Sequence, residues 1–397
     1  MSIVPGATMS HPDRVSEAAA QRVPQTSRLA ALDVARGLML VVSVAVNAWF
    51  TAPAWFEHAV WVGVHPIDLV FPVFVTLSGA GLAMAYARGV RLRREVRRVV
   101  TLYVVGVAFT ALLAYLATGR VEWATFDLTG VLQLYAGIVA GMVALRLACR
   151  SWWGWLVAGL TLAAAQALLL AIWAHGCPGN VLTPECNPSR VIDVAVFGAP
   201  HVYVEGTRGH DPSGVVVLVG ALATAACGAA GGRALLDHAR GGSTREMLRR
   251  AVVTVVVSAV GAVVAAQWVP AFKRLWTAPF ALAVAAGVVA VLTVLHVLLD
   301  GRPVSRVEAG LRYPLVALGR NSLLVYFGSH AVMSTLLRTG PSGEVPVRGR
   351  SWAEVAQRGT AEWVGAPGTA WPWCVTAVVA WTLLAMLLHR RRIYIKA

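Results

Sequence analysis

The sequence predicts an all-α, polytopic membrane protein, a helical bundle of about ten transmembrane helices, and three observations support this. Of the 397 residues, 57% are hydrophobic and only 13% are charged, whereas a soluble domain carries roughly 25% charged residues. Apolar runs of about 20 residues, the length that crosses a bilayer as a helix, recur along the chain. The arginines behind the net charge of +15 lie in clusters between these runs, which is typical of membrane topology.

Ten apolar runs are long enough to form the predicted transmembrane helices. In chain order they lie near 29–50, 67–87, 97–117, 129–148, 152–174, 214–236, 248–269, 276–299, 313–337 and 371–389. The segments between them are short, and neither an internal repeat nor a soluble domain is evident. The predicted membrane domain therefore covers residues 29–390.

The distribution of arginine between these runs predicts which side of the membrane each connection occupies. Alternate connections, starting with the N-terminal segment, hold most of the arginine; they include the clusters at 88–98, 240–250 and 390–392. The remaining connections hold few. Because Lys and Arg accumulate on the cytoplasmic side, we expect an even number of spans with both termini in the cytoplasm of a multi-pass plasma-membrane protein.

The two ends of the chain and one connecting loop carry separate expectations. Residues 1–28 are polar and lack an apolar core, so we expect a disordered cytoplasmic tail and not a cleavable signal peptide. Residues 391–397 form a second cytoplasmic tail. Cys177 and Cys186 share the loop 175–213, which the topology places outside. An oxidising exterior permits a disulfide between them, and two free thiols are the alternative.

Four polar residues of the first predicted helix share one face. At 100° per residue, Asn47 and Ser43 lie about 20° to either side of Arg36, and Asp33 lies about 60° away. Ionisable groups inside a span are costly and usually functional. This stripe is therefore expected to face protein or a hydrated cavity. The structural alternative is an Asp33–Arg36 ion pair with an interhelical hydrogen bond from Asn47.

The segment 55–74 that follows contains W-F-E-H-A-V-W-V-G-V-H-P-I-D-L-V-F-P-V-F. An imidazole flanked by aromatic residues at the membrane boundary suits proton transfer near neutral pH, which makes His58 a candidate catalyst. Asp68 can orient such an imidazole. The alternative is that His58 is an interfacial anchor. A metal site is disfavoured, because His58 and His65 are not spaced i, i+4 and no cysteine joins them.

Further polar residues follow later in the chain. Arg320 is predicted about two turns inside the cytosolic boundary, where a phosphate-bearing ligand or a carboxylate would satisfy it; snorkelling to the headgroups is the alternative. Asn321 follows it directly. Other candidates lie in predicted external connections or at their edges: Asp193, His201, Lys273 and Trp276.

These motifs resemble, in order, those of the transmembrane acyltransferase family that includes heparan-α-glucosaminide N-acetyltransferase. The matching pieces are R-L-A-A-L-D-V-A-R-G with Asn47, then W-F-E-H-A-V-W-V-G, D-L-V-F-P-V-F-V and G-V-L-Q, then C-N, I-D, H-V-Y and D-P-S-G, then P, K and L-W-T, and last L-G-R-N-S. Each piece is weak alone, but their shared order over nearly the whole chain is specific. One departure is D-P-S-G, where the family has D-P-E-G, so the acidic group of that position is absent.

The resemblance implies transfer of an acyl group, usually acetyl, from cytosolic acyl-CoA to an amine or hydroxyl of a sugar or glycan on the far side. His58 matches the family's active-site histidine and Asn47 the asparagine before it, so Asn47 is the expected oxyanion donor and Asp68 orients the imidazole. Acyl-CoA is the expected co-substrate, with no metal, no nucleic acid and a homodimer allowed. The residues expected to bind it are Asp33, Arg36, Ser43, Arg320 and Asn321, and those expected on the acceptor side are Asp193, His201, Lys273 and Trp276.

Two other classes of function compete with this interpretation. A transporter or lipid flippase would use the polar stripe as its path, and inverted repeats or broken helices would favour it. Neither is evident in the sequence. A scaffold protein without chemistry would leave the intramembrane polar residues Arg36, Asn47 and Arg320 unexplained.

Overall fold

A computed structural model describes residues 29–50, 52–300, 305–339 and 351–394 of the chain. These residues form thirteen α-helices joined by short turns and 3-10 segments. The helices are α1 (Ala30–Ala48), α2 (Val70–Ala85), α3 (Leu92–Thr118), α4 (Val131–Ala148), α5 (Trp152–His175), α6 (Pro188–Phe197), α7 (Val215–Ala239), α8 (Thr244–Ala265), α9 (Ala278–Leu299), α10 (Arg306–Arg320), α11 (Ser322–Arg338), α12 (Trp352–Trp363) and α13 (Trp371–Arg390). Most of the predicted tails lie outside the described residues.

The structure confirms the predicted all-α membrane fold. Within the described ranges, nine helices are long and apolar enough to cross a membrane. They correspond to nine of the ten predicted spans, and α2 is extended at both ends by 3-10 turns, so that its span runs from Pro66 to Arg88.

The remaining predicted span, 313–337, is the ninth in chain order and is formed by two helices instead of one continuous helix, a break that the sequence did not predict. The chain forms α10 and α11 with a break at Asn321, whose backbone angles (φ −107°, ψ 24°) are not helical. The Asn321 side chain donates hydrogen bonds to the carbonyl oxygens of Ala317 (3.2 Å) and Ala385 (3.5 Å). Asparagine competes in this way with the backbone ladder, which is why it tends to interrupt helices.

Helix α7 is the centre of the bundle and packs against α2, α5, α8 and α9. Its composition permits this, because glycine and alanine let helix axes approach closely in membranes. A Cβ added at Gly228 would overlap the carbonyl oxygen of Thr76 in α2, and one added at Gly79 would overlap that of Ala225 in α7. Small residues on both helices thus fix α2, which carries much of the site, against the core.

A second close crossing joins α1 to α10. A Cβ at Gly37 would overlap the Leu315 carbonyl, and one at Gly319 would overlap the carbonyl of Asp33. The hydrogen-bonding groups at the N-terminus of α1 are satisfied from α9, because the Asp300 carboxylate accepts from the backbone N–H groups of Ala30 (2.7 Å) and Ala31 (3.3 Å). The N-terminal half of α1, which carries Asp33 and Arg36, is therefore held by the end of α9 and by α10.

The connection between α5 and α7 is an ordered cap and not an open loop. Cys177 and Cys186 form a disulfide, which decides between the two alternatives left by the sequence. Asn187 donates to the carbonyl oxygens of Thr183, Pro184 and Gly209, which folds the segment back on itself. The cap covers the end of the bundle where α5 ends and α7 begins.

The α1–α10 crossing gives a test of the fold. Replacing Gly319 by Ala inserts a methyl group against the Asp33 carbonyl, and overpacking of this kind costs about 1–3 kcal/mol. We expect the unfolding temperature of the detergent-purified protein to fall by several degrees. Gly310→Ala on the same helix is the matched control, because a Cβ there meets no atom within 4 Å. An equal effect of both substitutions would contradict the crossing.

Candidate functional site

Two polar clusters lie at opposite ends of the span that contains α2. Asp68 is near its first residue and Arg88 is its last, and 20 residues at 1.5 Å each separate them by about 30 Å. We name the two ends of the bundle the histidine end and the arginine end. His58 and Lys273 share the first with Asp68.

At the histidine end, the imidazole of His58 is paired with the carboxylate of Asp68. The Nδ1–Oδ1 distance is 2.6 Å. The Asp68 side chain is only 2% exposed, whereas that of His58 is 44% exposed. A carboxylate on Nδ1 keeps the proton on that nitrogen and leaves Nε2 as the basic atom. The exposed ring therefore has the form of a general base or nucleophile held by a buried acid.

Backbone groups fix this pair in place. The second oxygen of Asp68 accepts from the N–H groups of Ala59 (3.3 Å) and His65 (3.0 Å). Arg274 donates to the carbonyl of Ala59 at 3.1 Å, and Gly63 pairs with Phe272 in an isolated β-bridge. The segment from His58 to His65 is thereby tied both to the start of α2 and to the α8–α9 turn.

Lys273 adds a positive charge to the pair. Its Nζ lies 3.8 Å from Asp68 Oδ1 and 3.4 Å from His58 Nδ1. Burial lowers the pKa of Lys273 to about 8, the neighbouring Asp68 partly offsets this shift, and Arg274 adds to it. Sequence reasoning had assigned Lys273 to the acceptor side, and the structure brings it within contact distance of the proposed catalytic pair.

From the arginine end, a cavity of about 810 Å³ extends into the bundle, a size typical of small-molecule sites. Along the α2 span it is lined from Arg88 to Phe71, a distance of about 25 Å. Six arginines line it: Arg36, Arg88, Arg94, Arg98, Arg240 and Arg320. The walls toward the histidine end include aromatic rings, so the cavity combines a cationic opening with a less polar interior.

Arg36 of α1 and Arg320 of α10, which both line the cavity, are only partly neutralised by protein. Arg320 donates to Asp33 at 3.3 Å and approaches the hydroxyl of Tyr394 at 3.4 Å. Asp33 therefore pairs with Arg320, and the Asp33–Arg36 ion pair that was the structural alternative is not formed. Arg36 donates to the carbonyl of Leu77 at a long 3.4 Å. Gly81 makes room for this guanidinium, because a Cβ there would lie 2.8 Å from Nη2.

Ser43, Asn47 and Asn321 do not line this cavity. Ser43 is buried and Asn47 is half-buried, but neither is among the lining residues, which follow α2 instead of the predicted stripe of α1. Among the described residues we find no hydrogen bond from the Asn47 amide to His58. Asn321 is fully buried at the helix break, next to cavity-lining Arg320. The roles of these three residues stay predictions.

Two residues predicted on the acceptor side form hydrogen bonds that stabilise the cap. Asp193 accepts from Val215 N (2.6 Å) and Ser189 Oγ (2.6 Å) and so caps α7; burial raises its pKa to about 6, partly offset by these hydrogen bonds. His201 Nδ1 bonds to the Phe126 carbonyl at 2.8 Å. The structure does not bring either side chain into contact with His58, and their substrate roles remain untested predictions.

Trp276 is a buried component of the site. It is 1% exposed, its indole N–H donates to Thr224 at 3.0 Å, and its ring packs edge-on against Phe71 with centroids 5.6 Å apart. It does not line the cavity. The prediction that it contacts substrate stays open, and its observed contacts are with protein.

Sequence reasoning missed most of the lining of the cavity. Phe71, Phe74, Ser78, Gly81 and Ala85 recur along α2 at helical spacing and all line it. The sequence contained this pattern, but it was obscured because α2 is apolar on nearly every side. Arg94, Arg98 and Arg240 were noticed as topology markers, and nothing in the sequence indicated that they converge on one opening.

Comparison with known proteins gives a consistent family similarity. A family model described as the catalytic part of heparan-alpha-glucosaminide N-acetyltransferase matches residues 28–179. The heparan-alpha-glucosaminide N-acetyltransferase of Mus musculus is 24% identical over 390 aligned residues, covering 82% of this chain and 57% of the mouse protein. The Homo sapiens protein is 23% identical, covering 76% and 52%. The chain thus spans about half the length of these relatives, and the resemblance predicted from the motifs is confirmed.

Proposed function

We propose that this chain, which resembles the heparan-α-glucosaminide N-acetyltransferase family, is a membrane-embedded acyltransferase. It moves an acetyl group from cytosolic acyl-CoA to an amine or hydroxyl of an extracytoplasmic sugar or glycan. The observation that carries the proposal is the buried Asp68 carboxylate at 2.6 Å from the exposed imidazole of His58, together with a cavity that is lined by six arginines and extends toward this pair from the other end of the α2 span.

The arginine end suits the donor. Acyl-CoA presents phosphates to water and a flexible arm that ends in the thioester. Guanidinium groups bind phosphate with charge-assisted, often bidentate hydrogen bonds. Arg88, Arg94 and Arg98 are clustered at the end of α2 and the start of α3, where they line the opening. In the proposal this end faces the cytoplasm, in agreement with the arginine distribution along the chain.

The histidine end suits the transfer. Asp68 holds the Nδ1 proton, so Nε2 of His58 can accept the proton of an acceptor amine or hydroxyl while that atom attacks the thioester carbonyl. The carbon–sulfur bond then breaks, the sulfur takes a proton, and CoA leaves as the thiol. In an alternative sequence, Nε2 itself attacks the thioester carbonyl, the carbon–sulfur bond breaks and CoA leaves as the thiol. The acceptor then attacks the acyl-imidazole, the carbon–nitrogen bond to Nε2 breaks, and the proton of the acceptor passes to Nε2. Both sequences need the same tautomer of His58.

The break at Asn321 favours a second candidate, because broken helices are common in transporters. A transporter or flippase would use the cavity as a substrate path without consuming acyl-CoA. Purified protein incubated with radiolabelled acetyl-CoA and a panel of amino sugars and lipid-linked glycans separates the two. Acetyl-CoA-dependent labelling of an acceptor supports the enzyme. Movement of an unmodified solute across the membrane of proteoliposomes, with no label transferred, would exclude the acyltransferase.

Substitution of the catalytic pair gives the first prediction. We expect His58→Ala and Asp68→Asn to lower kcat on the order of 10³-fold, the second because the neutral amide no longer fixes the tautomer of His58. Acetyl-CoA should still stabilise both variants against heating, since the donor cavity is intact. His175→Ala is the control, because this exposed imidazole hydrogen-bonds to the Ala171 carbonyl of its own helix and is not part of the pair. Retention of wild-type rates in Asp68→Asn would contradict the assigned roles.

The arginine cavity gives the second prediction. Arg94→Gln removes one cavity-lining charge on α3, and we expect the KM for acetyl-CoA to rise about tenfold with little change in kcat, since one charge-assisted hydrogen bond contributes about 1.5–3 kcal/mol. Arg97→Gln on the same helix removes the same charge outside the cavity lining and should leave KM near the wild-type value. If both variants behave alike in steady-state assays, the cavity does not hold the donor phosphates.

The pH dependence of Lys273 gives the third prediction. With its pKa lowered to about 8, the ammonium beside Asp68 is charged below pH 8 and neutral above it. We expect the wild-type rate to fall as the pH rises through about 8, because the positive charge beside the carboxylate is lost. Arg stays charged throughout this range, so Lys273→Arg should extend the plateau to higher pH. If the rate of Lys273→Arg falls at the same high pH as the rate of the wild type, Lys273 does not control this decrease.

A further inference from the structure

We infer that the ring of Phe71 closes the deep end of the cavity directly beneath the His58–Asp68 pair and thereby limits the size of the acyl group that is transferred. The inference rests on the proposed function. It concerns the one layer of side chains that separates the cavity from the catalytic pair.

Two segments build this layer, and each places one residue in or next to the pair and one residue in the layer. On the α2 span, Asp68 belongs to the pair, and Phe71, one turn later, lines the cavity. On the α8–α9 turn, Lys273 lies 3.8 Å from Asp68, and Trp276 packs edge-on against Phe71. The layer is therefore only one turn of helix thick, about 5 Å.

The two rings of the layer differ in how firmly their side chains are held. Trp276 is fixed: its backbone is in the left-handed region (φ 48°), its backbone N–H donates to the carbonyl oxygen of Lys273 at 2.8 Å, and its indole N–H donates to the Thr224 hydroxyl at 3.0 Å. Phe71 has no polar group to anchor it, and its half-buried ring lies on the cavity surface. Phe71 is therefore the half of the layer that can turn aside.

This geometry limits the size of the acyl group that can pass from the cavity to His58. A thioester that enters from the arginine end meets Phe71 before it meets the imidazole. Rotation of one phenyl ring against a fixed indole opens a narrow passage, which suits an acetyl group better than a longer acyl chain. Between transfers, the closed ring also separates the cavity from water around the exposed His58. Phe71 is thus a specificity-determining residue and not a catalytic one.

The test compares acetyl-CoA with butyryl-CoA as donors for the same acceptor. Replacing Phe71 by Ala removes a phenyl ring, so we expect the ratio of kcat/KM for butyryl-CoA to that for acetyl-CoA to rise about tenfold, as expected for room for two more methylene groups. Phe71→Leu, which fills part of the space, should give an intermediate ratio and guards against a folding defect in the Ala variant.

Phe74→Ala is the matched control. This ring lines the same cavity one turn further from Asp68 and packs against Tyr326 instead of Trp276, so the donor ratio should stay near the wild-type value. An unchanged ratio in both Phe71 variants, or an equal rise in Phe74→Ala, overturns the inference while acetyl transfer by the wild type still stands. If the wild type transfers no acyl group from any CoA ester, the proposed function fails and the inference falls with it.

Discussion

The structure of the site depends on how the carboxylate of Asp68 is kept at a membrane boundary with almost no exposure to water. A buried ionised acid is costly unless it is paired and hydrogen-bonded. Its partners are the imidazole of His58, the ammonium of Lys273 and the N–H groups of Ala59 and His65. Three separate parts of the chain must meet to satisfy it. The requirement therefore orders the loop after α1, the start of α2 and the α8–α9 turn together.

At the opposite end of the same span, positive charge is in excess. Of the described residues that line the cavity, six are arginines and one, Asp33, is acidic; Asp33 is engaged by Arg320, and Arg98 pairs with Glu95 at 3.8 Å. Like charges that share one opening repel one another, so an anion that enters lowers this repulsion. This excess of positive charge distinguishes the cavity from a simple packing defect between helices.

The sequence was sufficient for the fold class and for nine of the spans, because apolar length and arginine placement are read along the chain. It also identified His58 and Asp68 as partners, since they are close in sequence on either side of a tight turn. The Phe71–Trp276 layer and the convergence of Arg94, Arg98 and Arg240 depend on contacts between distant segments. Neither hydrophobic period nor charge count contains that information. The stripe on α1 was found, but Ser43 and Asn47 do not line the cavity.

The break at Asn321, which the sequence did not predict, has a consequence for the cavity itself. An uninterrupted helix would continue the α10 axis and repeat one face at 3.6-residue intervals. With the break, Gly319 and Arg320 at the end of α10 and Ser322, Leu323 and Tyr326 at the start of α11 all line the same cavity. Gly319 at the same time lies against the carbonyl of Asp33. The interruption thus places a charged residue and an aromatic residue on one wall of the cavity.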